Sequence, residues 1–179
     1  MPKPSKKVRS LRKTRPFHRF FGLVLSLLIL ISAGTGIFLS LKKEAEFLQP
    51  SSRQAEVTSL EDWLGIDQLA LKAQDALLDS LLIQNITIDR LDVRPDKGLA
   101  KVRFEDDWEV QIEGSTGKIL NIGKRHADWI ERIHDGSIIS DGFKLVSMNL
   151  LGFGIIFLSL SGLWLWYGPK LVKRSRARK

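Results

Sequence analysis

The sequence predicts an α+β domain inserted between two transmembrane helices, and three observations support this fold class. No charged residue occurs in the 22 residues between Arg19 and Lys42. None occurs in the 25 residues between Lys144 and Lys170. About 20 apolar residues in a helix cross the roughly 30 Å hydrocarbon core of a bilayer. All 20 acidic residues fall in segment 42–144, which is long enough to fold around its own core.

The charges at the two ends predict the orientation of the chain. Segment 1–19 carries eight Lys and Arg, the last ten residues carry six, and neither end carries an acid. Because short basic segments beside a span stay in the cytoplasm, both termini are expected inside and the central segment outside. A cleaved signal peptide is disfavoured, since its apolar region would be only about 7 to 15 residues long.

These observations give a set of expected domains. They are a cytoplasmic basic segment at 1–19, a transmembrane helix at 20–41, an extracytoplasmic domain at 42–144, a second transmembrane helix at 145–168 and a cytoplasmic basic tail at 169–179.

Small side chains recur along both apolar segments. They are Ser26, Ala33, Gly36 and Ser40 in the first segment, and Ser147, Gly154 and Ser161 in the second. Helices in lipid associate through close packing, so small residues favour a contact between the spans, although such residues are also common in membrane helices generally. Trp164, Trp166 and Tyr167 end the second segment and are expected at the membrane interface.

The central segment begins with a predicted amphipathic helix. Thr58 and Glu61 have the spacing of a capping box, with Thr58 as the N-cap. Apolar residues then recur at helical spacing up to Leu81, which predicts a helix of about five turns that includes Trp63 and Leu64.

A β-meander is predicted after this helix. From Ile86 the apolar residues alternate with period two, with a phase slip before Leu91, and turn-forming residues separate the runs. A last strand at 118–122 and a short helix at 127–133 follow. The predicted core comprises Trp63, Leu64, Leu77, Val102, Phe104, Val110 and Ile112. Gln111 falls on the opposite face of its strand, so its truncation is expected to change stability very little.

The order of these motifs resembles a known family. Segment 108–120 reads Trp-Glu-Val-Gln-Ile, then Gly-Ser-Thr-Gly-Lys-Ile-Leu, and resembles the last hairpin of a PepSY domain. Segments 15–22, 134–136 and 161–166 resemble the PepSY-associated transmembrane proteins, a bacterial family. The resemblance covers residues 15–170 and implies a PepSY-like domain between two spans. Larger members have additional spans, and some are linked to iron or siderophore reduction with haem.

The resemblance makes two histidines candidate haem ligands. His18 lies at the inner end of the first span and His134 on the outer side, about 30 Å away, so they cannot hold one haem or ion between them. His126 and His134 are eight residues apart on one predicted helix, or about 12 Å. Haem at His18 or His134 is therefore the alternative, and the main expectation is that the chain has no cofactor and no metal.

The main functional hypothesis is a two-pass protein of the bacterial inner membrane that acts as a non-enzymatic interaction or regulatory module. The sequence has no cysteine, no G-x-S-x-G nucleophile motif and no phosphate loop, which disfavours an enzyme. PepSY domains resemble parts of the propeptides of thermolysin-type proteases, and this analogy suggests modulation of an extracytoplasmic peptidase. The alternative is a haem-binding or accessory subunit of a membrane electron-transfer or iron (siderophore) reductase system.

The expected partners follow from charge and topology. They are the lipid bilayer, anionic lipid at the basic termini, an unidentified membrane or extracytoplasmic protein, and a second copy of the chain. Nucleic acid is not expected, because the central segment is acidic. Segment 128–136 predicts a short amphipathic helix with Trp129 at headgroup depth in the membrane interface. Packing of this helix on the sheet is the equal alternative.

Overall fold

The computed structural model describes residues 6–82 and 84–177, without the side chain of Arg176. It divides into two compact units: Met1–Gly36 with Arg132–Lys179, and Ile37–Glu131. Each unit is described below by itself. Of the basic residues expected to contact anionic lipid, Lys3, Arg178 and Lys179 lie outside the described residues.

The first unit is built mainly from two long helices. Helix α1 is Lys6–Ser40 and helix α4 is Asp141–Ala177. Both are long and apolar enough to cross a membrane. The α1 helix continues through Pro16 and extends into the basic segment well before the predicted span.

Small residues of α4 face larger residues of α1 at intervals of seven. Gly154 contacts Leu25, Ser161 contacts His18 and Gly168 contacts Leu11. Leu25 is only 1% exposed. Its side chain fills the space that a side chain at position 154 would occupy. A seven-residue repeat of close contacts is typical of helices that pack as an antiparallel coiled coil.

The predicted packing residues occupy different positions in this unit. Ser147 and Ser161 are buried, and Gly36 lies beside the imidazole of His134. Ala33 and Ser40 are exposed, and Ser26 and Ser40 each donate a hydrogen bond to a carbonyl of their own helix.

The second unit is an α+β domain, as the sequence predicts. Its four antiparallel strands lie in the order β1-β2-β3-β4: Ile88–Arg94, Leu99–Phe104, Trp108–Glu113 and Ile119–Lys124. Helix α2, Ile66–Leu81, packs on one face of this sheet. All seven predicted core residues belong to the resulting core, five fully buried and two, Trp63 and Leu64, packed against them. The register shift between Ile88 and Arg90 accounts for the phase slip in the sequence.

The predicted start of α2 is wrong. Ser59, and not Thr58, caps a single 3₁₀ turn at Leu60–Asp62, and α2 begins only after Gly65. Trp63 is extended between the two, because the backbone N–H of Leu64 donates to the carbonyl of Gly114 on the sheet. This tertiary hydrogen bond interrupts the helix that periodicity alone predicts.

An extended segment, residues 48–58, crosses the other face of the sheet; we call it the strap. The backbone N–H of Arg53 donates to the side chain of Gln111, and that of Ala55 donates to the carbonyl of Lys97. Gly98 has a φ of +66°, and a Cβ there would collide with the carbonyl of Glu56. The strap therefore lies directly on the sheet and covers part of its second face, where Glu109 and Gln111 are fully buried.

Helix α3, His126–Asp135, follows the last strand and is amphipathic as predicted. Its first turn belongs to the second unit, where the backbone N–H of Ala127 donates to the carbonyl of Leu48 at the start of the strap. Gly136 ends the helix with a φ of +82°, a left-handed conformation that favours glycine.

Candidate functional site

The strap covers a cluster of charged side chains on the second face of the sheet. Glu109 of β3 is completely buried. Its carboxylate lies 3.2 Å from Lys101 Nζ and 2.8 Å from Arg125 Nη1. Arg103 lies directly opposite Glu109 in the strand register, with Nε at 3.8 Å. One buried carboxylate is thus shared by three cations.

Gln111 belongs to the same cluster, and its burial argues against the expectation that its truncation changes stability very little. Its side chain is fully buried, donates to Glu109 at 2.9 Å and to the Ser51 carbonyl at 3.0 Å, and accepts from the Arg53 amide at 2.8 Å. A polar residue at an alternating strand position normally predicts a solvated face. Here the strap supplies backbone groups that satisfy the amide instead.

Arg125 connects this cluster to α3. Its guanidinium donates to both oxygens of Asp128 as well as to Glu109. Burial lowers the pKa of Arg125, but the hydrogen bonds and charges of Asp128 and Glu109 more than offset this and raise it above its ordinary value. Arg125 therefore stays charged, and Glu109 has a permanent counterion.

A cationic cleft of about 400 Å³ adjoins this cluster within the second unit. Lys101 and Arg103 of β2 line it, together with Arg94 at the end of β1 and Lys97 in the β1–β2 connection. Lys42 and Lys43, just after α1, complete the cationic part of its lining.

The two haem candidates both lie in the first unit. His18 Nδ1 lies 2.7 Å from Ser161 Oγ, and His134 Nδ1 lies 3.0 Å from Thr35 Oγ1. Each hydroxyl also donates to a carbonyl of its own helix, so it accepts from the imidazole. In both cases Nδ1 is the ring nitrogen that contacts the hydroxyl of a neighbouring helix.

The cavity beside His134 is smaller than the usual volume of a cofactor site. His134 lines an apolar cavity of about 200 Å³ with Ile133, Phe143 and Met148. Cofactor sites enclose roughly 300 to 1,000 Å³. No group of three His, Asp or Glu side chains that could hold a metal ion occurs among the described residues.

Asp135, beside His134, ties the end of α3 to α4. Its carboxylate forms an ion pair with Lys144 and accepts from the Ser137 amide. Burial raises the pKa of Asp135, but these hydrogen bonds and the lysine charge outweigh it and lower the pKa to about 2. The stabilisation is therefore complete above the ordinary value of 3.8 and is lost as the pH falls through about 2.

The predicted interface aromatics are largely exposed in the two units. Trp129 is 53% exposed on α3. Trp166 and Tyr167 are exposed on α4, and Lys170 Nζ lies 3.8 Å from the centre of the Trp166 ring. Trp164 is partly buried, and its indole N–H has no hydrogen-bond partner in the described part of the chain.

The chain has two membrane-length helices with an α+β domain between them. It therefore belongs to the class of membrane proteins that carry a small folded domain between two spans. A family model described as the PepSY-associated TM region matches residues 15–179. The chain belongs to this family, which is not a family of enzymes. No curated protein matches the chain.

Sequence reasoning missed the charge cluster and the cleft. The alternation of side chains along the strands was the signal that could have indicated the cluster. Lys101 and Arg103 of β2 lie opposite Gln111 and Glu109 of β3. Opposite charges in register on neighbouring strands favour a cross-strand pair. The position of the strap, which buries this pair, has no comparable signal in the sequence.

Proposed function

We propose that this chain is a non-enzymatic interaction module of the bacterial inner membrane, with a PepSY-like domain on the extracytoplasmic side and both termini in the cytoplasm. In this proposal the spans are 20–41 and 145–168, and the outer domain is 42–144. The domain binds an extracytoplasmic protein and modulates it. A peptidase is the partner favoured by the analogy with protease propeptides.

The observation that carries this proposal is the β1 edge, one of the two edges of the sheet. Strand β1 pairs with β2 and with no other strand in the described part of the chain. Val93 on this strand is 40% exposed. An edge strand offers unpaired backbone groups to an extended peptide, which is a common mode of peptide recognition. The buried charges, by contrast, are already paired with one another and offer no reacting group.

Photocrosslinking from β1 tests this proposal in cells. A photoreactive amino acid at Val93 should give one specific crosslinked protein partner, whereas the same group at Leu71, exposed on α2, should not. Equal products from both positions, or none from Val93, would contradict docking at this edge.

Reporter fusions test the orientation separately. Alkaline phosphatase, which is active only outside the cytoplasm, should be active when fused near residue 100 and inactive when fused after residue 179. The reverse pattern would show the inverted topology.

The haem alternative is tested on the purified full chain. Its absorbance spectrum should lack a Soret band. A Soret band with near-stoichiometric haem that is lost in His134→Ala or His18→Ala would replace the interaction module with the electron-transfer role.

A further inference from the structure

The cationic cleft has more positive charge than the carboxylates around it neutralise. Six of its lining side chains are cationic: Lys42, Lys43, Arg94, Lys97, Lys101 and Arg103. Asp96 is the acid among the lining residues. The cleft therefore stands out in a segment that is otherwise acidic.

Only some of these cations have carboxylate partners. Lys101 and Arg103 share Glu109, and Lys42 lies 3.6 Å from Glu131. No ion pair involves Lys43, Arg94 or Lys97 among the described residues. Three charges gathered around one cleft repel each other unless an anion occupies it.

Arg103 contributes a fixed guanidinium to the lining of the cleft. Its Nε atom is buried and lies 3.8 Å from the Glu109 carboxylate, without a hydrogen-bond partner in the described part of the chain. A guanidinium suits phosphate because its donors are planar and fixed in direction. The side chain itself is held by Asp92, 3.0 Å from Nη2, so its position does not depend on the anion.

Chain connectivity places this cleft near a bilayer surface. Helix α1 ends at Ser40, and Lys42 and Lys43 follow by two and three residues. At about 3.5 Å per residue, these two lysines lie within about 11 Å of the end of the helix. This holds whichever side of the membrane the domain occupies.

We propose that the cleft binds the phosphate group of a phosphate ester, supplied at this depth by the headgroup of a membrane glycerophospholipid. Lys43, Arg94 and Lys97 neutralise the phosphate, and Arg103 adds a further positive charge in the lining of the cleft. The volume of about 400 Å³ accommodates a glycerophosphate headgroup. This site is distinct from the basic termini, and it does not depend on the protein partner proposed above.

The test measures retention of phosphatidylglycerol by the full chain in neutral detergent, using native mass spectrometry. The variant Lys43→Gln/Arg94→Gln/Lys97→Gln removes the three cations without an ion pair. The control Lys72→Gln/Lys118→Gln/Lys124→Gln removes three exposed cations of the same domain outside the cleft. Both variants keep the basic termini, so attraction of lipid to the ends of the chain is common to them.

The cleft variant should bind phosphatidylglycerol at least tenfold more weakly than the wild-type chain, and the control should change less than twofold. Arg94→Gln alone, at an exposed position, should give an intermediate loss with the fold intact. Equal weakening in both triple variants would overturn the site, and so would equal retention of an uncharged glycolipid. Glycerol 3-phosphate distinguishes the sources: failure to displace the lipid supports a membrane headgroup, and displacement at equal concentration supports a soluble phosphate ester.

Discussion

The two faces of the same four-stranded sheet are buried by different means. On one face, α2 covers aliphatic side chains such as Val102, Val110 and Ile112, all at 0% exposure. On the other, the strap covers Glu109 and Gln111, which are also at 0% exposure. The first face is stabilised by removing apolar surface from water. The second is stabilised only if every charge and amide under the strap finds a partner.

Equally buried residues on the two faces should therefore differ in how strongly their substitution destabilises the domain. A truncation on the apolar face leaves a cavity, whose cost depends on how far the neighbours relax. Removal of Glu109 on the polar face leaves Lys101 without its counterion, although the lysine side chain is only 8% exposed. The polar face should therefore be the more sensitive of the two.

The largest effect is expected for Glu109→Gln. It leaves Lys101, Arg103 and Arg125 clustered without their shared carboxylate and should lower the free energy of unfolding of the domain by about 3 to 5 kcal/mol. Hydrogen exchange of the β3 amides in the full chain measures this. Glu105→Gln, an exposed position on the β2–β3 connection, is the control and should change stability by less than about 0.5 kcal/mol. A loss below about 1 kcal/mol at Glu109 would mean that the cluster tolerates a missing counterion.

Neighbouring substitutions on β3 compare the two faces directly. Val110→Ala should cost about 1 to 3 kcal/mol through lost burial. Gln111→Ala should cost a similar amount, about 1 to 3 kcal/mol, because the Arg53 amide and the Ser51 carbonyl lose their partner under the strap. The same exchange experiment measures both. If Gln111→Ala is nearly neutral while Val110→Ala is not, the strap is not closed in solution.

The same comparison shows what could be predicted from the sequence. The apolar face was predictable because alternation in the strands and helical spacing in α2 both identify the side that faces the core. The polar face was not, because alternation says only that Gln111 and Glu109 share the other side. Whether water or the strap lies there depends on residues 48–58, which have no periodic pattern of their own.

The first unit repeats this lesson. The spacing of Gly154 and Ser161 indicates one face of α4, but it does not indicate which residues of α1 they contact. His18 faces Ser161, and Leu25 faces Gly154, only because the antiparallel register of the two helices places them there. Spacing identifies a face of one helix and carries no information on register.

The smallest effect is expected for a substitution of Thr58, the last residue of the strap. Thr58 Oγ1 is buried without a hydrogen-bond partner among the described residues. Thr58→Val keeps the shape and removes the unsatisfied hydroxyl, so it should stabilise the domain by about 1 kcal/mol or less. Thermal unfolding of the full chain measures the shift, with Thr116→Val as the control, because that hydroxyl donates to Glu113. Destabilisation by Thr58→Val would indicate a partner for this hydroxyl that the structure lacks.

The strap also dictates the order in which the domain can be completed as the chain emerges from synthesis. The Arg53 amide of the strap donates to the side chain of Gln111, 58 residues later. The Leu48 carbonyl accepts from the amide of Ala127, which follows β4. The apolar half can assemble once β3 is available, but Glu109 is without Arg125 until β4 has followed. Until then a charged face stays open to solvent. The start of α3, which completes the domain, is also the part of the chain that leads into the second membrane helix.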